Sequence, residues 1–402
     1  MRRAASVLLV MMVVACQENV LAPGVCPEFC PPGTLDVRDT ILTNVIFADS
    51  FFVGYRLAHE ATQLQIAGPG GDVESRGLIV FRRFEETYTG ADTTVSRTIQ
   101  QTDSFRVTFN VLRRNAGVSG VALALYRIPL AVDSTATFAS MEPYFDDSML
   151  VGTAGIPDDF TIGSFSVTVP AAAFPNYGGD TLQVAVGVRI QAPEPAFISV
   201  PSQDSLGEAI VARFVQVDSG SVRVTRSDAR LTLFDTFVLN ETGGTGAGIL
   251  RIGGVPAARA LLRADTSRSG PLAAIIDSTQ IVRATLLLVP ARPAVGAAGD
   301  TFRLRVHAIG ADLGPKSPII RESDTLSAGS TRIPVGASDT LLVDVTHVFQ
   351  AWRADPDIPR AFMLRVVPEG ASLGALEVGS TASGAGRPAL HLTYLLPFRI
   401  KQ

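Results

Sequence analysis

The side chains best placed to do chemistry in this sequence lie on one strand-like run. In Phe302-Arg303-Leu304-Arg305-Val306-His307, apolar and basic residues alternate. Side chains of an extended strand point to opposite faces in turn, so Phe302, Leu304 and Val306 are expected to face a core. Arg303, Arg305 and His307 then face outward together. Two guanidinium forks on one face can each hold a carboxylate through paired hydrogen bonds, which an ammonium cannot do. The ligand class this predicts is an acidic polysaccharide. The competing reading is an ordinary solvated outer face.

Other constellations carry less. Gly370-Ala371-Ser372-Leu373-Gly374 fits the G-x-S-x-G pattern of serine hydrolases. That chemistry needs a strand–turn–helix elbow followed at a distance by an acid and a histidine. Here the motif joins two β-like runs, and only Glu377 and His391 follow it closely, so a chance match is expected. The four histidines, His59, His307, His347 and His391, show no H-x-H or H-E-x-x-H spacing. Zinc or iron catalysis would have almost no ligands to draw on, and no cofactor is expected. Acidic pairs at Asp146-Asp147, Asp158-Asp159 and Asp355/Asp357 could hold a structural Ca²⁺, but none shows a calcium-loop pattern. The glycine run Gly243–Gly248 lacks the Lys-Ser/Thr ending of a phosphate loop and reads as a flexible turn. The single Trp352 falls on an apolar stripe, which favours core over a sugar-stacking platform. The chain is therefore read as non-enzymatic.

These side chains need a scaffold, and the sequence describes an all-β one. Of 402 residues, 47% are hydrophobic and 18% charged, enough apolar surface to exclude intrinsic disorder. The net charge of −4 offers no basic footprint for nucleic acid. Short alternating runs are broken by Gly, Pro, Asp, Ser and Thr, as in antiparallel sandwiches. One helical exception is expected, in which Val345, Val348, Phe349 and Trp352 make an apolar stripe stopped before Pro356. It should lie as a lid on the second core, with Pro170–Pro175 as a shorter plug in the first.

Five segments recur in order. Arg76–Phe81 parallels Arg259–Ala264, Val121–Ile128 parallels Phe302–Ile309, Phe165–Val169 parallels Leu341–Val345, Leu182–Val186 parallels Phe362–Val366, and Ala229–Leu233 parallels Pro388–Leu392. The separation stays between 176 and 183 residues for four of them and falls to 159 at the fifth. This predicts two tandem antiparallel jelly-roll or β-sandwich domains, at residues 39–235 and 236–402. The first copy has Ala122, Ala124 and Tyr126 where the second has its basic residues, so any binding site would be asymmetric.

The N-terminus carries an address. Met1-Arg2-Arg3 precedes about a dozen apolar residues, too few for a bilayer core that needs about 20, so residues 1–15 read as a signal peptide. Val13-Val14-Ala15-Cys16 resembles the lipobox of bacterial lipoproteins, which implies lipidation of Cys16 and anchorage through several acyl chains. Gln17 after the cysteine implies delivery to the outer membrane. Residues 16–38 form a tether in which Cys26 and Cys30 are expected to form a disulfide, since a metal site would need further ligands.

Ala258–Asp265, the run from Thr285 to Val289, Val343–Thr346 through Gln350-Ala351-Trp352, and Arg387–Tyr394 together resemble a DNRLRE-type domain. These are extracellular bacterial jelly-roll modules, some similar to carbohydrate-binding modules of polysaccharide lyases. The likeness covers the second half and, through the repeat, the first half more faintly. The stretch that names the family is absent, as is any lyase or hydrolase domain. The first half also resembles outer-membrane lipoproteins of about this size. The resemblance implies a glycan-binding lipoprotein. The alternative is a structural or protein-interaction lipoprotein of the envelope, using sheet edges or loops such as Glu85–Thr102.

Overall fold

The computed structural model describes residues 36–89, 96–178, 181–203, 205–219, 221–241, 246–265, 267, 270–312, 314 and 328–396. The signal-like run, Cys16, Cys26 and Cys30 lie outside the described residues. The fold is all-β: antiparallel sheets arranged as two sandwiches, with three short α-helices among the described residues.

In the first sandwich one strand serves both layers. The strand Val222–Glu241 pairs through its first half with Ile210–Ser219 and through its second half with Val73–Phe81. A register shift between Thr232 and Phe234 marks the corner, where an irregularity bends the strand from one layer to the other. One layer runs Gly163–Pro170, Ser96–Val111, Ile210–Ser219 and Val222–Glu241. The other continues through Val73–Phe81, Ala185–Gln191, Ala122–Arg127 and Leu150–Gly155. Phe105, Val107, Phe109 and Val167 from the first layer meet Ile79, Phe81, Leu125 and Val188 from the second in one buried core. The outer face of the second layer is covered as well. There Met141 and Phe145, from the helix Phe138–Met141 and the 3₁₀ turn Glu142–Phe145, pack on Leu78, Val80, Ala124 and Tyr126.

The second sandwich has a four-stranded layer, Val37–Leu42, Ala389–Leu395, Gln280–Leu288 and Leu341–Asp344. Its larger layer runs Ala328–Pro334, Thr301–Ala308, Ala361–Val367, Ala258–Ala264, Ile249–Gly253 and Ala375–Gly379, with Ile46–Val53 also paired to Ala258–Ala264. The alternation expected for the Arg303 strand holds: Phe302, Leu304 and Val306 enter the core beside Leu286, Leu390 and Leu392.

The expected boundary at residue 39 differs from the observed pairing. Val37–Leu42 and Ile46–Val53 belong to the second sandwich, where they pair with Ala389–Leu395 and Ala258–Ala264. The corresponding slots of the first sandwich are filled by the two halves of Val222–Glu241, which reaches beyond residue 235. Local sequence follows the slots. Asp49-Ser50-Phe51 matches Asp235-Thr236-Phe237, and Phe51 stands opposite Ala260 as Phe237 stands opposite Gly77. Each sandwich is thus closed by strand material that directly precedes the other's own strands. The fifth sequence match is corrected by the same register. Ala389–Leu395 occupies the position of Ile210–Ser219, next to Gln280–Leu288 as the latter is next to Ser96–Val111, rather than that of Ala229–Leu233.

The expected helix is observed at Thr346–Ala354, with Val348, Phe349 and Trp352 buried and its end just before Pro356. Trp352 packs against Phe349 and Phe362, with ring centroids 4.9 and 4.8 Å away. In the first sandwich the same place after the strand holds the 3₁₀ turn Ala171–Ala173 and buried Phe174. The expectation of a single helix in the second half is corrected by Pro271–Ser278, which buries Leu272, Ala273, Ile275 and Ile276. Proline at its start is compatible with helix because the first-turn N–H needs no partner. Its two turns are too short for a clear periodic signal.

Candidate anion-binding cleft

Between the sandwiches lies a cleft of about 970 Å³. Its second-sandwich wall is the outer face of the larger layer. Arg303 and Arg305 alternate along Thr301–Ala308, Arg332 stands directly opposite Arg303, and Arg365 directly opposite Arg305. Cross-strand partners share a face, so four arginines from three adjacent strands form one patch. The first sandwich and its entry segment add Arg56 and Arg113, and both reach the same cleft. Six arginines therefore line it against two glutamates, Glu60 and Glu369, in a chain whose net charge is −4.

The floor is structured by ion pairs. Arg259 donates to Glu369 through Nε at 2.6 Å and through Nη2, and Arg365 Nη1 lies 3.7 Å from the same carboxylate. The Arg365 Nε donates to His307 Nε2 at 3.2 Å. That bond requires Nε2 to be an acceptor, leaving the ring proton on Nδ1. Arg259 also lies over the Tyr55 ring, 4.4 Å from its centroid. Among the described residues Arg56, Arg303 and Arg332 form no ion pair, and all three are exposed.

The walls are held together by a salt bridge. Arg113 binds Asp300 through Nη1 at 2.8 Å and Nη2 at 3.1 Å, and its guanidinium lies 4.9 Å from the Phe197 ring centroid. Val255, Ala297 and Leu373 of the second half pack into the first core. Backbone bonds from Gly54 and Tyr55 to the Ala257 carbonyl, and from Ala257 to the Arg56 carbonyl, fix Arg56 at the rim. Gly370 has φ +71°, and a Cβ there would lie 3.1 Å from that of Arg56. Only glycine suits both the left-handed backbone and the close approach.

Of the three residues expected to bind, the structure brings Arg303 and Arg305 together in the cleft. His307 is corrected. It lies on the same face but is 97% buried, because Leu261, Ile309, Ala361 and Met363 form a small apolar cluster there and Met363 is its cross-strand neighbour. The expected asymmetry is present. Ala124 and Tyr126 of the first sandwich are sealed beneath Met141 and Phe145. Arg332, Arg365, Arg56 and Arg113 were missed by sequence reasoning. Alternation within Phe362–Val366 would have turned Arg365 outward, but placing it beside Arg305 needs the strand register.

The remaining constellations are not assembled. Ser372 is buried in a loop between two strands, and its Oγ accepts from Gly374 N at 3.1 Å. Glu377 is bound to Arg292 at 2.7 Å, and His391 lies on the four-stranded layer, 3.4 Å from Asp39. The loop aspartates are taken up by backbone N–H groups: Asp146 and Asp355 cap their own turns, accepting from Ser148 N and Asp357 N, and Asp158 accepts from Gly120 N of a neighbouring loop. Among the described residues no group of three or more acidic, histidine or cysteine side chains could hold a metal. The chain matches no protein-family model and no curated protein sequence.

Proposed function

We propose that this protein is a non-catalytic envelope lipoprotein, anchored at the outer membrane through Cys16, that binds acidic polysaccharide in the cleft between its sandwiches. The observation that carries the reading is the clustering of Arg303, Arg305, Arg332 and Arg365 on one concave wall. Arg303 and Arg332 stand directly opposite one another with no carboxylate partner among the described residues; like charges so placed destabilise a sheet, and a multivalent anion offsets that repulsion. Guanidinium forks recognise carboxylates through paired hydrogen bonds, so carboxylate-bearing sugars fit the wall better than neutral ones. The low aromatic content, with Trp352 fully buried, argues against stacking on neutral sugar rings. The DNRLRE-like segments of the second half support a glycan-binding module there, and the internal repeat supports a duplicated sandwich.

The experiment is a comparison of full-chain binding to a polyuronate and to a neutral glucan at low and high salt. Polyuronate binding that weakens with salt supports the reading, because exposed charges are screened. Equal binding to both polymers, or to neither, overturns it. Replacement of Cys16 by alanine should release the protein from the membrane fraction; unchanged fractionation would remove the anchor from the account.

A further inference from the structure

The arginines of the cleft divide by what already neutralises them. Arg113 is held by Asp300, and Arg365 contacts Glu369 and His307. Arg303, Arg332 and Arg56 meet no carboxylate among the described residues. The first two are directly opposed on neighbouring strands, and Arg305 follows Arg303 on the same face. Opposed residues have Cβ atoms about 5 Å apart. Residues two apart on a strand are separated by about 7 Å. The wall is thus a closely spaced lattice of positive charge, and Arg56 lines the same cleft.

We infer that the cleft takes a contiguous run of acidic sugars, gripped by the directly opposed pair Arg303 and Arg332 together with Arg56. This rests on the reading of the cleft as a polysaccharide site and specifies the charge pattern the site selects. In a homopolymer of uronic acid each ring carries a carboxylate, so neighbouring charges recur at about one ring length. In a polymer that alternates acidic and neutral sugars, the spacing doubles and a second carboxylate falls outside the lattice. A single small dianion would engage one opposed pair and leave Arg56 without a role.

The test titrates the full chain with a homopolymeric oligouronate and with an alternating uronate–neutral oligosaccharide of equal total charge, using inorganic sulfate as competitor. The homopolymer should bind at least about tenfold more tightly, an effect readily resolved by titration. Arg332→Gln and Arg56→Gln should each weaken it, with thermal unfolding of each variant confirming that it folds. Equal affinity for the two polymers overturns the spacing inference while leaving acidic-polysaccharide binding standing. Unchanged affinity in a folded Arg332→Gln or Arg56→Gln variant overturns the assigned grip. Sulfate that displaces the polymer at matched charge overturns the contiguous-run requirement. Failure of both polymers to bind overturns this inference and the proposed function together.

Discussion

Arg113 grips Asp300 through two hydrogen bonds of 2.8 and 3.1 Å, and the two residues belong to different sandwiches. The Asp300 side chain is 5% exposed, while that of Arg113 is 41% exposed. Removing the arginine therefore leaves a buried carboxylate with the Thr301 N–H at 2.7 Å as its remaining described donor. Arg113→Ala should destabilise the protein by about 1–3 kcal/mol, the cost of stranding a buried polar group. Asp300→Ala should cost less, because its partner can turn to water. Denaturant titration of the two variants measures the difference, and equal losses would contradict it.

The strand exchange makes a sharper prediction. Ile46 is fully buried in the second core although it precedes every strand of the first sandwich, whereas Phe237 is buried in the first core. Ile46→Ala should cost about 2–5 kcal/mol, the range for emptying a packed site, and should lower the transition seen by Trp352 fluorescence. Phe237→Ala should act first on the first sandwich and leave the Trp352 environment native at temperatures where that sandwich begins to open. The reverse pattern would place the strands in the sandwiches that chain order suggests.

Alternation in Phe302–His307 was enough to set its two faces, because a strand with one face on a core has an unambiguous period. The stripe from Val345 to Trp352 likewise fixed a helix and its buried side. Chain order could not reveal that Ile46–Val53 crosses to the second sandwich, since either sandwich offers the same apolar slot. Arg332 and Arg56 were invisible as site residues for a related reason. Each is a lone basic residue whose meaning comes from what stands opposite it. His307 failed because alternation gives the face of a side chain and not whether Met363 and Ile309 cover it.

Trp352 is fully buried, yet its indole Nε1 has no hydrogen-bond partner among the described residues. Its ring packs on Phe349 and Phe362, and Arg360 lies 5.7 Å from its centroid. Trp352→Phe removes the orphaned donor together with some apolar area, so the two changes oppose each other. The net cost should be about 1 kcal/mol, well below the roughly 3–5 kcal/mol of Trp352→Ala. Glycan affinity should be unchanged in Trp352→Phe. Loss of binding in a variant shown to be folded would return the tryptophan to the ligand site.

Asp344 supplies a pH dependence with a defined sign. Burial raises its pKa, but hydrogen bonds from the Thr346 hydroxyl and N–H, followed by the charges of Arg283 and His347, outweigh burial and hold it below the usual carboxylate value. Its Oδ1 accepts from Thr346 N at 2.8 Å at the start of the helix that carries Trp352. A depressed folded-state pKa contributes stability that is complete above the unfolded-state value and disappears as pH falls through the folded one. Acidification below the ordinary aspartate range should therefore loosen this helix, read by Trp352 fluorescence in denaturant. Asp344→Asn should flatten that part of the profile; an identical acid slope in the variant would assign the effect to other carboxylates.

The most direct test of the central claim is titration of the full chain and of an Arg303→Gln/Arg332→Gln double variant with an oligouronate at low salt. Both substitutions lie at exposed positions of a strand pair whose opposite faces carry the core residues Phe302, Leu304 and Ile333, so folding should be retained. The native chain should bind, with affinity that weakens on adding salt, and the double variant should lose about tenfold or more. Undiminished affinity in the folded double variant would contradict it.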